Sequence, residues 1–131
     1  AGNISFSIAT EKIPVVSIEQ SPSSVRDALH TVKRTGMPVE VRRGDASRFQ
    51  AGDAFFDVAV LDPPRKGAPG VITELSLTRP KSILYISCNP NALMKDMGEA
   101  KKVGYRPRRM ILFDMFPQTP HTELLVELRR D

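Results

Sequence analysis

Short apolar runs alternate with amphipathic stretches along the whole chain, and this alternation constrains the fold more than any other feature of the sequence. The runs at 13–18, 56–61 and 82–87 are rich in Ile, Val and Leu, which is typical of buried strands. Stretches with helical spacing lie between them, for example at 21–36. Strands that alternate with helices predict an α/β fold with a largely parallel sheet.

Several residues predict where the helices and strands begin and end. Ser21 and Asn89 are N-cap residues, and each is followed by a proline at the first helical position. Gly36 is well placed to end the first of these helices. The last two predicted strands, at 108–113 and 123–128, are joined by a connection that is too short for a crossover. We therefore expect these two strands to be antiparallel.

Length and composition exclude several classes of protein. The chain has 131 residues and is 40% hydrophobic and 26% charged, which suits one soluble globular domain. No apolar run approaches the roughly 18 residues that a membrane span needs. The single Cys excludes an internal disulfide and, with only two His, argues against a structural zinc site. We expect a cytoplasmic protein that has no metal and no membrane partner.

Basic residues outnumber acidic residues and occur in small groups. The chain has 19 Lys and Arg against 15 Asp and Glu, which gives a net charge of +4. Pairs such as Lys101 with Lys102 and Arg129 with Arg130 could neutralise the phosphates of a nucleic acid. They could equally keep a small domain in solution. Charge alone therefore supports an RNA partner without establishing it.

Polar residues follow the predicted strands at the point where each strand ends. Ligands of open parallel sheets bind at the carboxyl ends of the strands. Four predicted strands end in polar candidates: Glu19, Asp45, Asp62 and Cys88. If strand 108–113 is parallel to the others, the antiparallel last strand starts at this same edge. The sequence therefore predicts that Glu123 lies beside Cys88.

Each of these acidic residues has a structural interpretation beside the functional one. Glu19 and Asp45 could be turn or cap residues. Glu19 follows a strand of the nucleotide-binding type, where an acidic side chain can accept hydrogen bonds from both ribose hydroxyls. Asp62 precedes Pro63 and Pro64, which hold the chain rigid and extended. A rigid wall with one carboxylate suits the binding of a flat base or an amino group.

Cys88 is open to the same two interpretations. A lone Cys at a strand end is more often a small buried hydrophobe than a nucleophile. Cys88, however, directly precedes the N-terminus of a predicted helix, where the helix dipole favours an anionic thiolate. Arg65, if it lies nearby, adds a positive charge with the same effect. These features make Cys88 a candidate nucleophile.

Three motifs resemble those of the RNA 5-methyluridine methyltransferases in order and spacing. They are LDPPRKGA at 61–68, ISCNP at 86–90 and DMFPQTPHTE at 114–123. The resemblance implies a Rossmann-like, S-adenosylmethionine-dependent methyltransferase fold with a mostly parallel sheet and an antiparallel last strand. It also implies methylation of carbon 5 of a uridine in tRNA or rRNA.

The resemblance also implies roles for individual residues. Cys88 is the nucleophile that adds to carbon 6 of uracil, and Glu123 is the general base that removes the carbon 5 proton. The residues expected to hold the target base are Asp62, Pro63 and Arg65. The residues expected to bind S-adenosylmethionine are Gly2, Asn3, Glu19, Asp45 and Asp62.

The amino end departs from the pattern of the family. The segment AGNISFSIA at 1–9 resembles the tail of the family's glycine-rich cofactor loop and the helix after it. We therefore expect residues 1–131 to be part of a catalytic domain, without its first strand, its complete cofactor loop and the RNA-binding region. We expect such a fragment to bind S-adenosylmethionine weakly and to be inactive by itself.

Two other functions fit the same motifs less well. RNA cytosine-5 methyltransferases use similar chemistry, but they usually carry a second cysteine just after the Asp-x-Pro turn, where this chain has Arg65. A non-catalytic RNA-binding remnant of a methyltransferase would explain the incomplete cofactor loop. It would not explain the presence of both Cys88 and Glu123. The RNA, the uridine and the oligomeric state are left open by the sequence.

Overall fold

The computed structural model describes residues 3–50, 54–114 and 122–130. Gly2, one of the residues expected to bind the cofactor, lies outside the described residues. The chain divides into two units, Ala1–Arg48 and Phe49–Asp131. Within the described parts, no helix is long and apolar enough to cross a membrane.

The first unit is built around one parallel pair of strands. β1 pairs with β2 from Val15 opposite Val39 to Glu19 opposite Arg43, with helix α2 as the crossover between them. The elements of this unit are α1 (Asn3–Ile8), β1 (Val15–Glu19), α2 (Pro22–Thr35), β2 (Val39–Arg43) and a 3-10 turn (Ala46–Arg48). Strand β1 begins two residues later than the apolar run at 13–18 predicted.

Helix α2 forms as its sequence predicts. The Ser21 side chain accepts a hydrogen bond from the Ser24 amide at 3.4 Å, and Pro22 occupies the first turn. Gly36 ends the helix with a φ of 67°, a left-handed conformation that glycine adopts without steric cost. Val25 and Ala28 form the buried face of the helix.

The second unit contains a four-stranded mixed sheet in the order β3-β4-β6-β5. Its elements are β3 (Val58–Leu61), α3 (Val71–Leu77), β4 (Ser82–Ser87), α4 (Pro90–Lys102), β5 (Tyr105–Phe113) and β6 (Glu123–Arg130). β3 and β4 are parallel, and β6 is antiparallel to both β4 and β5. β5 therefore runs in the same direction as β3 and β4, and the antiparallel last strand is confirmed. β5 begins at Tyr105, three residues earlier than predicted.

The core of the second unit lies on the face of the sheet that contacts the helices. Tyr85 pairs across the strands with Val126, and Ile83 pairs with Leu128. These four side chains have no solvent-exposed surface. Helix α4 packs against β5 and against α3. Successive side chains of a strand point to opposite faces of the sheet, so alternate residues of β4, and Val126 and Leu128 of β6, are buried in the core.

One carboxylate is buried within this core. Asp96, on α4, is 4% exposed and accepts hydrogen bonds from the Tyr85 hydroxyl and, at 2.8 Å, from the Ala68 amide. Burial, and then the hydrogen bond to Asp96 and its negative charge, raise the pKa of Tyr85. Gly67 lies so close that a Cβ there would be 2.6 Å from Asp96 Oδ2. Asp96 thus fastens the segment before α3 to the sheet and to α4.

Helix α3 depends on a second carboxylate of α4. Gly70, its N-cap, has a φ of 80° and offers no side chain to the first amides. Glu99 accepts hydrogen bonds from the amides of Gly70 and Thr73, both at 2.9 Å, and from the Thr73 hydroxyl at 2.8 Å. The unpaired amides at the start of α3 are therefore satisfied from another helix.

We predict that Tyr85→Phe destabilises the protein more than Tyr105→Phe. Both tyrosines are fully buried, but the Tyr85 hydroxyl donates to a carboxylate and the Tyr105 hydroxyl donates to the Pro80 carbonyl at 2.6 Å. Hydrogen bonds to charged groups contribute about 1.5–3 kcal/mol, against about 0.5–1.5 kcal/mol for neutral pairs. Urea denaturation measures both free energies of unfolding. Equal losses would show that Asp96 is not the more important acceptor.

Candidate active site

Strand register in the second unit brings Cys88 and Glu123 to the same edge of the sheet. β4 and β6 pair up to Ser87 opposite Leu124, and β5 and β6 pair up to Phe113 opposite Glu123. Cys88 directly follows Ser87, the last residue of β4, and Glu123 directly precedes Leu124 on β6, so both lie at this edge of the sheet. The predicted direction of β6 is confirmed, and with it this arrangement of the two strand ends.

Cys88 occupies the tight turn between β4 and α4. It is a free and exposed thiol. The Ser87 hydroxyl lies 3.1 Å from both the amide and the carbonyl of Asn89, accepting from the first and donating to the second. The amino end of the 13-residue helix α4 follows at once. A helix amino end favours negative charge, and Cys88 precedes the first residue of α4 by two positions.

Asn89 joins this turn to the loop after β3. Its Oδ1 caps α4 by accepting from the Asn91 amide at 3.1 Å, as predicted. Its Nδ2 donates to the Arg65 carbonyl at 2.8 Å. The loop 62–70, which carries the Asp-Pro-Pro-Arg sequence, is therefore fastened at Arg65 by Asn89, at Ala68 by Asp96 and at Gly70 by Glu99.

The side chains expected to hold the target base follow β3 at this same edge. β3 pairs with β4 up to Leu61 opposite Tyr85, so the loop begins beside the last residues of β4. Asp62 and Arg65 are exposed, and Pro63 is half-buried. Glu123 is also half-buried. The edge therefore combines a thiol, carboxylates and a guanidinium that a ligand can reach.

Glu19 and Asp45 lie together in the first unit. Glu19 ends β1, and its carbonyl accepts from the Gly44 amide at 3.1 Å, next to Asp45. Its Oε1 accepts from the Ser21 amide at 2.8 Å, and within the described part of the chain no group donates to its Oε2. Asp45 Oδ1 accepts from the Ser47 amide at 2.9 Å and from the Ser47 hydroxyl at 2.7 Å. Both carboxylates thus have the turn role weighed above.

Asn3 begins helix α1, where it is exposed. Its carbonyl accepts from the Ser7 hydroxyl at 2.6 Å. Across the described residues, no group of three or more His, Cys, Asp or Glu side chains is arranged to hold a metal ion.

Sequence reasoning missed the two carboxylates that hold the 62–70 loop. Asp96 lies three residues after Leu93 and four before Ala100, both of which are buried on α4. A carboxylate on the apolar face of a helix needs a buried partner, and this spacing was the available signal. Glu99 has no comparable signal, because its partners belong to α3 and become neighbours only in the folded unit.

The chain is similar to known RNA methyltransferases along its whole length. A family model described as tRNA (Uracil-5-)-methyltransferase matches residues 1–131, the whole chain. A 23S rRNA (uracil(1939)-C(5))-methyltransferase of Klebsiella pneumoniae is 34% identical over 134 residues, which cover 98% of this chain and 31% of that protein.

Solved structures show the same fold. The Pyrococcus abyssi tRNA (uracil-54, C5)-methyltransferase, in complex with S-adenosyl-L-homocysteine, has a TM-score of 0.78 and 29% identity and covers 92% of this chain and 30% of that chain. M. jannaschii TYW2 in complex with AdoMet has a TM-score of 0.63 at 13% identity, with 90% and 58% covered, and shows the fold alone. The fold is therefore the Rossmann-like α/β fold of S-adenosylmethionine-dependent methyltransferases. The chain spans about 30% of the length of the Klebsiella pneumoniae and Pyrococcus abyssi relatives.

We predict that Asn89→Ala destabilises the protein more than Ser21→Ala. Both residues are N-caps followed by proline, but only Asn89 also bonds a second loop, at the Arg65 carbonyl. Loss of a cap costs about 1 kcal/mol, and a further hydrogen bond contributes about another 1 kcal/mol. Urea denaturation compares the two variants. If the two losses are equal, the bond from Asn89 to the 62–70 loop contributes nothing to stability.

Proposed function

Since the chain belongs to the tRNA (Uracil-5-)-methyltransferase family, we propose that it forms part of an enzyme that methylates carbon 5 of a uridine in tRNA or rRNA. In this proposal Cys88 is the covalent nucleophile and Glu123 is the general base. The observation that carries it is the strand register, in which Cys88 directly follows the end of β4 and Glu123 starts β6 at the same edge. The names of the relatives, which act on uracil in 23S rRNA and in tRNA, support RNA as the substrate.

S-adenosylmethionine is the methyl donor in this proposal. The complex of the Pyrococcus abyssi relative with S-adenosyl-L-homocysteine supports this assignment. When bound, S-adenosylmethionine supplies a methyl group on a positively charged sulfur. The Oε2 of Glu19, to which no group of the described residues donates, suits a ribose hydroxyl, because a carboxylate at the end of such a strand accepts from the hydroxyls of a nucleoside. Asp45 would lie near the adenine, and Asp62, Gly2 and Asn3 complete the proposed cofactor residues.

Cys88 solves the central chemical problem of this reaction. Carbon 5 of uracil is a poor nucleophile towards a methyl sulfonium. When the Cys88 thiolate adds to carbon 6, an S–C bond forms and the ring double bond becomes an enolate, whose electrons are available at carbon 5. Carbon 5 then takes the methyl group, and the electrons of the broken S–CH3 bond remain on the donor sulfur. The amino end of α4 stabilises the thiolate at both ends of this cycle.

Glu123 completes the cycle by accepting the proton of carbon 5. Removal of this proton regenerates the ring double bond and expels the Cys88 thiolate, which releases the 5-methyluridine. The base must lie close to the thiol, because the C–H bond at carbon 5 and the C–S bond at carbon 6 both break and belong to adjacent carbons of one ring. Glu123 starts β6, and Cys88 follows the end of β4 at the same edge of the sheet, which supports the pairing of this base with this nucleophile.

The 62–70 loop would orient the target base in this site. Asp62 can accept from the ring N–H of uracil, and Arg65 can donate to a ring carbonyl or a phosphate. Pro63 and Pro64 limit the backbone freedom of the loop, and Asn89 and Asp96 fasten it. The uridine must leave its stack to reach these groups, as bases do in other enzymes that modify them.

We predict that Cys88 forms a covalent adduct with RNA that contains 5-fluorouridine in the presence of S-adenosylmethionine. Fluorine cannot leave as a cation, so the cycle stops after methyl transfer with the thiol still attached. Mass spectrometry measures the adduct on Cys88, the one cysteine of the chain. Cys88→Ala is the control and forms no adduct.

The same experiment separates the alternatives. An adduct from this chain supports the proposal directly, and an adduct from a chain extended at its amino end alone supports it for the larger protein. The absence of an adduct from both would contradict the proposal and favour a non-catalytic RNA-binding module. An adduct with 5-fluorocytidine RNA in preference to 5-fluorouridine RNA would assign the domain to cytosine instead.

We predict that Glu123→Gln accumulates the adduct on RNA that carries ordinary uridine. The amide cannot accept the carbon 5 proton, so addition and methyl transfer proceed while release of Cys88 stops. Glu127→Gln is the matched control, because Glu127 lies on the same strand but bonds Arg129 at 2.7 Å, away from Cys88. Denaturing gel electrophoresis detects the protein–RNA adduct. Normal turnover by Glu123→Gln would exclude Glu123 as the base.

A further inference from the structure

Asn89 comes directly after Cys88, and each of its polar groups has a hydrogen-bond partner. Its amide donates to the Ser87 hydroxyl at 3.1 Å, and its carbonyl accepts from that hydroxyl at 3.1 Å and from the Leu93 amide at 3.0 Å. Its Oδ1 caps α4, and its Nδ2 donates to the Arg65 carbonyl at 2.8 Å. Both the backbone and the side chain of Asn89 are therefore held in place.

The bond from Asn89 attaches a segment that has few other attachments. Residues 63–67 follow β3 closely and include two prolines, which have no amide to donate. The Gly67 amide bonds the Pro64 carbonyl at 2.8 Å, within the segment itself. Among the residues that the structure describes, the bond from Asn89 to Arg65 is the one hydrogen bond that joins 63–67 to another element. The position of Arg65 therefore depends on the residue that follows the candidate nucleophile.

The charge of Arg65 is available to a ligand. Its side chain is exposed, and it makes no ion pair with any described residue. Because its carbonyl lies 2.8 Å from the side chain of the residue after Cys88, its flexible guanidinium can reach the thiol or a ring bound to the thiol. A positive charge there stabilises a thiolate before addition and an enolate oxygen after it.

We propose that Asn89 is a positioning residue, whose side-chain amide holds Arg65 beside Cys88. In this place the guanidinium stabilises the negative charge as it passes from the thiolate to the oxygen of the uracil enolate. Asn89 itself touches none of the reacting atoms. The reaction that Asn89 serves rests on the proposed function, whereas the position of Arg65 relative to the thiol does not.

The test variant is Asn89→Ser, which removes the amide donor and keeps an oxygen that can cap α4. Ser21, which also precedes a proline, shows that serine caps a helix in this sequence context. Ser21→Asn is the matched control, because it makes the reverse exchange at a cap whose hydroxyl bonds residues of α2. Urea denaturation checks that each variant is folded. Asn89→Thr, which keeps a capping oxygen as well, replaces Asn89→Ser if that variant does not fold.

The first readout requires neither RNA nor a cofactor. Cys88, the one cysteine of the chain, is alkylated with anionic iodoacetate and with neutral iodoacetamide, and mass spectrometry follows both reactions. The ratio of the two rate constants reports positive charge near the sulfur, because the fraction of thiolate affects both reagents equally. We expect Arg65→Gln and Asn89→Ser each to lower this ratio about twofold to threefold at low salt, the effect of one charge about 8 Å away in water.

Coupling between the two substitutions decides the outcome. Because Asn89 acts through Arg65, the double variant should lower the ratio no further than Arg65→Gln alone. Ser21→Asn should leave the ratio unchanged. Additive losses in the double variant, or no loss in Asn89→Ser, would overturn the proposal. No loss in Arg65→Gln would overturn it as well, because the guanidinium would then lie away from the thiol.

The second readout is the rate at which Cys88 forms its adduct with 5-fluorouridine RNA, measured over a series of RNA concentrations. We expect Asn89→Ser to lower the maximal rate about tenfold, because the charge of Arg65 is most needed when the ring becomes an enolate. The RNA concentration that gives half of this rate should change less than about twofold, since the loss falls on the reacting complex and not on RNA binding. The chain extended at its amino end is used if only that protein forms the adduct.

The two readouts keep this inference separate from the proposed function. If the adduct forms at the same maximal rate in Asn89→Ser as in the unmodified protein, the function stands and the positioning role is wrong. If alkylation shows the expected coupling and no adduct forms in any protein, the position of Arg65 stands and the proposed chemistry is wrong.

Discussion

The direction of one strand determines what the second unit can do. β6 runs against β4 and β5 and lies between them, so its first residue meets the last residues of both. Had β6 been parallel, Glu123 would lie at the far end of the sheet, about 20 Å from Cys88 for a strand of this length. Because the hydrogen bonds of an antiparallel ladder fix register residue by residue, the level of Glu123 relative to Cys88 is set by the backbone and not by flexible side chains.

Helix α4 is the second organising element. Its amino end follows Cys88, its Asn89 cap reaches the loop after β3, and its Asp96 and Glu99 hold the rest of that loop. One helix thus connects the candidate nucleophile with the residues expected to hold the base. Asp96 is buried, and a carboxylate in such a place is tolerated only when donors surround it. Its donors, the Tyr85 hydroxyl and the Ala68 amide, are therefore as important to the position of the loop as the loop's own prolines.

The two ends of the sheet differ in chemistry. The end with Cys88 carries Asp62 and Glu123, which suit proton transfer and hydrogen bonds to a base. The opposite end collects Lys and Arg from α4, β5 and β6.

The sequence by itself determined the kinds and order of the elements. The bounds of β4, the caps at Ser21 and Asn89 and the antiparallel last strand were all predicted, because caps, periodicity and short connections are local signals. The roles of Cys88 and Glu123 rest on the motifs and remain predictions, and Gly2 lies outside the described residues.

Only the tertiary structure decided which distant residues meet. Asp96 accepts a hydrogen bond from Ala68, 28 residues away, and Glu99 accepts one from Gly70, 29 residues away. Both donors are backbone amides, so no side chain in the sequence indicates these contacts. The like-charged pairing of Arg106 with Arg129 likewise appears only in the register of β5 and β6. The partners of backbone amides and the register of paired strands cannot be predicted from the local sequence. Both depend on how hydrophobic packing brings separate elements together.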